Sequence, residues 1–436
     1  MHIAVIKTGL ALLLLFLVLI QPNHPQAMTW GALAVFPLEL PVLVALLLAL
    51  GQGRWSLIAR TLLLLTLLTV VVLKLADLAT FISYNRGFNP LVDWSLLPAA
   101  WALLKGSIGT VQAGLVLIAL LAALLILALA LWWSMTQLAS ITLAARGRLA
   151  AALLLLPGIV IAVAEIGHAQ RHWSLPETVK TAIPGAAFTA RFGLERVTLI
   201  QRTRADLRAF NQAARNDPMV GQQPDLGLLG DRDLVLIYIE SYGRSSVDNP
   251  LYRPTHVATL QAIQQDLGER GLAMRSAWAT APMVGGQSWL THGSVASGLW
   301  LDTQGRYRAL LASERRTLFH FAQRAERRTV AIKPAHIFPW PEGDFFGFDA
   351  IYNAADLGYR GEPFNWVTMP DQFTLHALDR LERDSTDRAP LVVQVALVSS
   401  HAPWVPIPEL VDWEAVGDGE VFNEWALSGD PPEVVW

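Results

Sequence analysis

Five long apolar stretches crowd into residues 1–168 and leave this part of the chain few folds. They run Ile3–Ile20, Trp30–Leu50, Trp55–Leu75, Val111–Trp133 and Leu149–Ile166. A helix of about 20 apolar residues crosses about 30 Å of hydrocarbon. Inside lipid only a helix or a closed barrel satisfies the backbone N–H and C=O groups. The prediction is an α-helical membrane bundle of five transmembrane helices. Leu12–Leu15 and Leu62–Leu65 are apolar on every side, as lipid-facing turns are. The first stretch lacks a small-x-small cleavage site and more spans follow it, so it reads as a retained helix and not a signal peptide.

The connections carry an orientation signal. Lys7, Arg54, Arg60, Arg146 and Arg148 mark one side, and Gln21–Thr29 has no Lys or Arg. The positive-inside rule puts the N-terminus in the cytoplasm and everything after the fifth span outside. The expected location is the plasma (inner) membrane, multi-pass, with an extracytoplasmic, periplasmic domain. The long connection Phe81–Thr110 is expected on the outer surface, partly as an interfacial helix. Three ionisable residues fall in or beside the spans. Lys74 and Asp77 either serve a function or snorkel to the interface. Glu39, between Pro37 and Pro41, either contacts a lipid head group or is structural.

Composition shifts after Ala169, and residues 169–230 read as an amphipathic linker. Arg191, Arg196, Arg202, Arg204 and Arg208 accompany apolar residues at helical spacing, from Leu194 and Val197 to Phe210. The arginines either face anionic lipid or form a solvated face. From Asp231 strands and helices alternate, which predicts an α/β domain over residues 231–436 with a mostly parallel sheet. Leu234–Ile239 suits a parallel strand buried on both faces. Further strands are expected at Ser276–Ala279, Thr329–Lys333 and Leu391–Val398. Helices are expected at Thr255–Gly271, Ser288–Leu299, Leu310–Arg327 and Asp371–Arg383.

The net charge of -3 gives no basic stripe for nucleic acid. With no cysteine, disulfides, thiolate catalysis and Cys-ligated zinc are excluded. Ligands to an open α/β sheet bind at the carboxyl ends of its strands. Glu240 follows the first strand there, as a divalent-cation ligand or as an ordinary cap or ion pair. Ser288 follows Gly285-Gly286-Gln287 at the start of a helix, as a nucleophile beside an anion site or as a simple N-cap. His401 follows the last strand, as an anion or leaving-group partner or as a structural histidine.

Asp233–Ser241, the Ser288 helix, Gly347-Phe348-Asp349 and Ser400-His401-Ala402-Pro403 stand in an order that resembles the sulfatase-like branch of the alkaline phosphatase superfamily. The nearest type is the membrane-anchored lipoteichoic acid synthases, with the related phosphoethanolamine transferases. The resemblance implies an alkaline-phosphatase-like fold. It assigns Ser288, which keeps the family's spacing to Gly298, as nucleophile and metal ligand, and Glu240 as a metal ligand. It makes His401, Trp366 and Asp371 substrate-binding residues, and implies a divalent cation, whether manganese, zinc or magnesium. The synthases have Thr where Ser288 stands. The family's late Asp-His metal pair is missing: Gly417-Asp418-Gly419 and Gly429-Asp430-Pro431 both lack the histidine. The catalytic domain is therefore expected to be incomplete, the sequence being a C-terminally truncated version of a longer protein.

The implied activity is a metal-dependent transferase. It would move a phosphoglycerol or phosphoethanolamine group from a membrane phospholipid donor to a glycan or glycolipid acceptor, through a covalent Ser288 intermediate. Two alternatives stay open: a sulfate-ester or phosphodiester hydrolase using the same site, and a catalytically inactive membrane-anchored binding protein.

Overall fold

The computed structural model describes residues 2–222, 226–385, 387–402 and 404–428. Pro403 and Gly429-Asp430-Pro431, named above, lie outside the described residues. The chain divides into two compact units, Met1–Leu207 and Arg208–Trp436.

In the first unit, four helices are long and apolar enough to cross a membrane: α1 (His2–Ile20), α3 (Arg54–Tyr84), α5 (Thr110–Ala139) and α6 (Ala145–Ala169). The second expected span is not one continuous helix. Trp30–Ala34 forms a 3-10 turn, Phe36–Pro37 a short strand β1, and only Glu39–Leu50 a helix, α2. Twelve residues of helix cover roughly 18 Å at about 1.5 Å per residue, well short of the hydrocarbon thickness. Proline explains the break: Pro37 offers no N–H and stops a helix running on from Trp30, while Pro41 falls in the first turn of α2, where no donor is needed. Between α3 and α5 lies the expected short helix, α4 (Leu97–Ile108). Leu15, Leu19, Leu47, Leu131, Met135 and Leu138 pack into the buried seam of the bundle.

The linker begins with a short helix, α7 (Glu177–Ala182), and a strand, β2 (Gly185–Ala186), that pairs parallel with β1. The long helix α8 (Phe188–Arg215) follows. A helix start leaves N–H groups without intrahelical partners and carries positive potential. Two carboxylates of the bundle meet them: Glu165 Oε2 accepts from Ala187 N at 3.1 Å and Glu39 Oε1 from Ala190 N at 2.8 Å. The linker arginines divide differently from either expectation. Arg191 pairs with Glu165 at 3.2 Å and Arg196 with Asp77 at 2.7 Å, so both are tied to the bundle's own acids. Lys74 and Asp77 do not snorkel; they are 2% and 0% exposed.

The close pairing of β1 and β2 yields a prediction. A Cβ on Gly185 would lie 1.8 Å from the Phe36 carbonyl oxygen, a backbone atom that cannot move aside. Gly185→Ala should destabilise the unit by about 2–3 kcal/mol, as overpacking does. Thermal unfolding of the detergent-solubilised protein should show a midpoint several degrees lower; an unchanged midpoint would contradict the pairing.

The second unit is built on a four-stranded parallel sheet of β3 (Leu234–Ile239), β4 (Arg328–Lys333), β5 (Ala350–Asn353) and β6 (Leu391–Leu397), in the order β3-β6-β4-β5. Successive side chains of the central strand β6 feed two cores. Val393 and Val395 join Phe373 and Ala377 of α14 (Asp371–Leu378). Val392 joins Leu290, Leu310 and Phe319, carried by α11 (Trp289–Ser297), α12 (Gln304–Leu311) and α13 (Leu318–Arg324). Helices α9 (Ser245–Asp248) and α10 (Arg253–Glu269) come between β3 and α11, and α15 (Asn423–Ser428) follows the sheet.

Four expectations need correction. Strand β3 is not buried on both faces: it is an edge strand, with Val235, Ile237 and Ile239 37%, 46% and 47% exposed. Ser276–Ala279 is not a strand. The helix expected over Leu310–Arg327 is two helices, because Thr317 and His320 form a capping box that starts α13 afresh. Helix α14 passes at Asp379–Arg383 into a π-helical turn. Strand β5 was not expected at all.

Candidate active site

All four strands are parallel, so their carboxyl ends share one edge of the sheet. Three residues reach that edge in a row: Glu240 after β3, His401 after β6 and Lys333 at the end of β4. The loops are stitched together. Ser400 Oγ donates to the Glu240 carbonyl at 2.6 Å, and Ala402 N donates to Ser241 Oγ at 3.2 Å. Ser241 holds φ +54, a left-handed conformation uncommon without glycine.

Ser288 arrives on a turn with an unusual backbone. Gly285, Gly286 and Gln287 are successively left-handed, at φ +63, +55 and +54. The glycines adopt this freely, whereas Gln287 is held there at a cost of about 1–2 kcal/mol. The turn sets Ser288 at the N-cap of α11, yet the side chain makes no capping hydrogen bond. A cavity of about 230 Å³ opens here, lined among others by Glu240, Ser288, His292, Lys333, Trp366 and His401.

The structure thus brings four of the five predicted site residues to one cavity. The fifth, Asp371, is not in its wall. Its carboxylate accepts from Val398 N at 2.7 Å and Ser399 N at 2.9 Å, and so holds the loop that carries His401. The rings of Trp366 and His401 meet edge to face with centroids 4.9 Å apart. His401 Nδ1 bonds the Ala402 carbonyl, an acceptor only, which puts a ring proton on Nδ1. Gly347-Phe348-Asp349 lies elsewhere: Asp349 accepts from Thr329 N at 2.8 Å and pins the start of β4.

Sequence reasoning missed Lys333, His292 and His336. Lys333 Nζ lies 3.4 Å from His292 Nδ1, and His292 Nε2 lies 3.6 Å from Glu240 Oε1. Burial, followed by the charges of Lys333 and His336, holds His292 well below its usual pKa, so the ring is neutral. Its Nδ1 then takes a hydrogen bond from the Lys333 ammonium, and its Nε2–H points toward Glu240. Burial lowers Lys333 to about 8 despite the opposing pull of Glu240, and burial with the Lys333 charge lowers His336 to about 4. Two signals were present in the sequence. The strand-end rule that selected Glu240 and His401 applies equally to Lys333, and His292 is four residues, one helical turn, after Ser288.

The residues do not supply a complete site for the expected cation. Among the described residues, no group of three or more His, Asp or Glu side chains could hold a metal. Glu240 and Ser288 are two donors, and the Lys333 ammonium stands beside them. What the arrangement offers is a hydroxyl at a helix N-terminus, a buried cation and an imidazole: the parts of an anion site.

Lys333 makes that site pH-dependent. It is charged below about pH 8 and neutral above, whereas sulfate stays a dianion throughout. Sulfate affinity should be level below pH 8 and fall above it, by up to about tenfold per pH unit. In Lys333→Met the affinity should be weak and flat over the same range. Calorimetric titration of the solubilised protein from pH 6 to 10 checks this, and pH-independent binding by the wild type would contradict it.

No protein-family model, curated protein or solved structure matches the chain.

Proposed function

We propose that the protein is a membrane-anchored phosphotransferase in which Ser288 carries the transferred group. The observation behind this is Ser288: it occupies an N-cap, its hydroxyl makes no capping bond, and the residue lines the cavity beside Lys333, His292, Glu240 and His401. Four helices able to cross a membrane favour a lipid-linked donor. The arginine and lysine bias supports a cytoplasmic N-terminus and an α/β unit outside, on a multi-pass chain of the plasma (inner) membrane. A parallel sheet with helices on both faces agrees with the alkaline-phosphatase-like resemblance.

The chemistry is written on the chain's own groups. Ser288 Oγ attacks the phosphorus of a phospholipid head group. The bond from phosphorus to the diacylglycerol oxygen breaks, and the proton lost by Ser288 passes through His401 Nε2 to that oxygen. The phosphoglycerol or phosphoethanolamine left on Ser288 is then attacked by a hydroxyl of a glycan or glycolipid acceptor, whose proton returns to Ser288. The Lys333 ammonium and the N–H groups at the start of α11 neutralise the charge on the equatorial oxygens; each such donor is worth on the order of a hundredfold or more in rate. The Lys333–His292–Glu240 chain holds the ammonium in place.

Intact-mass analysis tests this. Wild type and Ser288→Ala are incubated with phosphatidylglycerol or phosphatidylethanolamine, with and without added manganese. The expected result is a phosphoglycerol or phosphoethanolamine adduct on wild type alone. Head-group release without an adduct would favour a hydrolase, in which water replaces the acceptor. No adduct and no release under any condition would leave a binding protein.

A further inference from the structure

The membrane unit has a second polar cavity, of about 400 Å³, where α8 joins the bundle. Its walls include Lys74, Arg191, Glu195, Gln21 and Asn23. Lys74 is the unusual member, an ammonium 2% exposed on a helix able to cross a membrane. It meets two acceptors, the Leu19 carbonyl at 3.4 Å and Thr189 Oγ1 at 3.1 Å. An ammonium has three N–H donors, so one remains for the cavity. The Glu39 carboxylate lies within electrostatic reach of Lys74, and its buried Oε2 has no hydrogen-bond partner. Arg191 shares one N–H with Glu165 at 3.2 Å and Lys74 lies near Glu39, so the cavity carries no excess positive charge. What it offers an anionic group is the remaining N–H donors of one ammonium and one guanidinium.

This cavity adjoins another. An apolar groove of about 510 Å³ shares four wall residues with it, Ile20, Gln21, Pro22 and Ala32. The rest of the groove is Leu17, Met28, Thr29, Trp30 and Leu33. Trp30 is 89% exposed, Met28 66% and Leu33 46%. Each volume is within the range of small-molecule sites. A chamber with ammonium and guanidinium donors beside an apolar groove, on a chain whose helices suit lipid, has the polarity pattern of one phospholipid molecule.

We infer that the two cavities form one site for a glycerophospholipid, with its phosphate on Lys74 and Arg191 and an acyl chain along Leu17 and Leu33. Glu195 then faces the head-group alcohol or amine. The site is separate from the Ser288 cavity, and binding does not depend on the chemistry proposed there.

The test uses the full chain carrying Ser288→Ala, so that bound lipid is not consumed and a failure of the transferase reading leaves the measurement intact. Native mass spectrometry in detergent follows retention of phosphatidylglycerol, with diacylglycerol as the phosphate-free control. One phospholipid should be retained and diacylglycerol should not. Lys74→Gln should weaken retention roughly tenfold, the loss expected for one charge-assisted hydrogen bond. Ala32→Trp, which plugs the junction without touching a buried charge, should weaken it at least as much. If Lys74→Gln does not fold, Ala32→Trp alone decides. Retention of diacylglycerol equal to that of phospholipid, or full retention by Ala32→Trp, would overturn the inference.

Discussion

Ser288→Ala is expected to lower turnover by on the order of a thousandfold or more and to leave the stability of the α/β unit unchanged. The two halves of that expectation oppose each other. A serine that caps a helix contributes about 1 kcal/mol through its side chain, and replacing it with alanine forfeits that. Ser288 stands in the capping position without making the bond, so alanine forfeits nothing there. Ser288 instead lines the cavity with Lys333 and His401. Head-group release from a radiolabelled phospholipid gives the rate, and thermal unfolding gives the stability. A midpoint that falls by several degrees with turnover intact would reduce Ser288 to a cap and remove the proposed mechanism. Ser288→Thr, which keeps a hydroxyl, should retain a substantial part of the rate.

Much of the candidate site's geometry was legible because one rule, that parallel strands deliver ligand-binding groups at their carboxyl ends, needs only the strands to be found. Strands β3 and β6 were plain in the apolar runs Leu234–Ile239 and Leu391–Val398, and Glu240 and His401 followed from them. Trp366 was placed by resemblance alone, and the cavity includes it. Lys333 was readable by the same rule, but a lysine at a strand end looks solvent-bound in sequence; only the packed structure reveals that it is 5% exposed. Asp371 illustrates the opposite difficulty. An acid near a pocket sequence reads as a binding group, and only the hydrogen bonds to Val398 and Ser399 reveal that it holds a loop.

The fold was legible where periodicity and length suffice, and misread where single residues decide. Four long spans followed from length and composition. The second span broke because hydropathy averages over Pro37 and Pro41, which act one residue at a time. Strand β3 was read as buried on both faces because an apolar run looks the same at an edge as at a centre, and strand order is a tertiary property. The linker arginines were weighed as lipid-facing or solvated, since the sequence does not tell which acids of the bundle lie opposite them.

That last point carries the largest stability effect expected in the membrane unit. Asp77 is fully buried and accepts three hydrogen bonds: from Arg196 at 2.7 Å, Asn23 at 2.8 Å and Phe88 N at 2.8 Å. Arg196 also donates to the Phe88 carbonyl and packs over the Phe192 ring. Asp77→Ala leaves a guanidinium 13% exposed with its acid gone and a backbone N–H with no acceptor. Removing one partner of a buried pair costs about 3–5 kcal/mol, because the remaining charge stays desolvated. The double variant Asp77→Leu/Arg196→Met removes both charges and should recover most of that loss, since apolar replacement of a whole buried pair is often neutral. Thermal unfolding in detergent reads the stabilities, and tryptic cleavage at Arg202 and Arg204 reads how firmly α8 is held. If the pair fastens α8 to the bundle, Asp77→Ala is cleaved quickly and the double variant slowly. If both variants are cleaved alike, then Asn23 and Phe88 N, which lose their acceptor in each, hold the junction and the Arg196 charge contributes little.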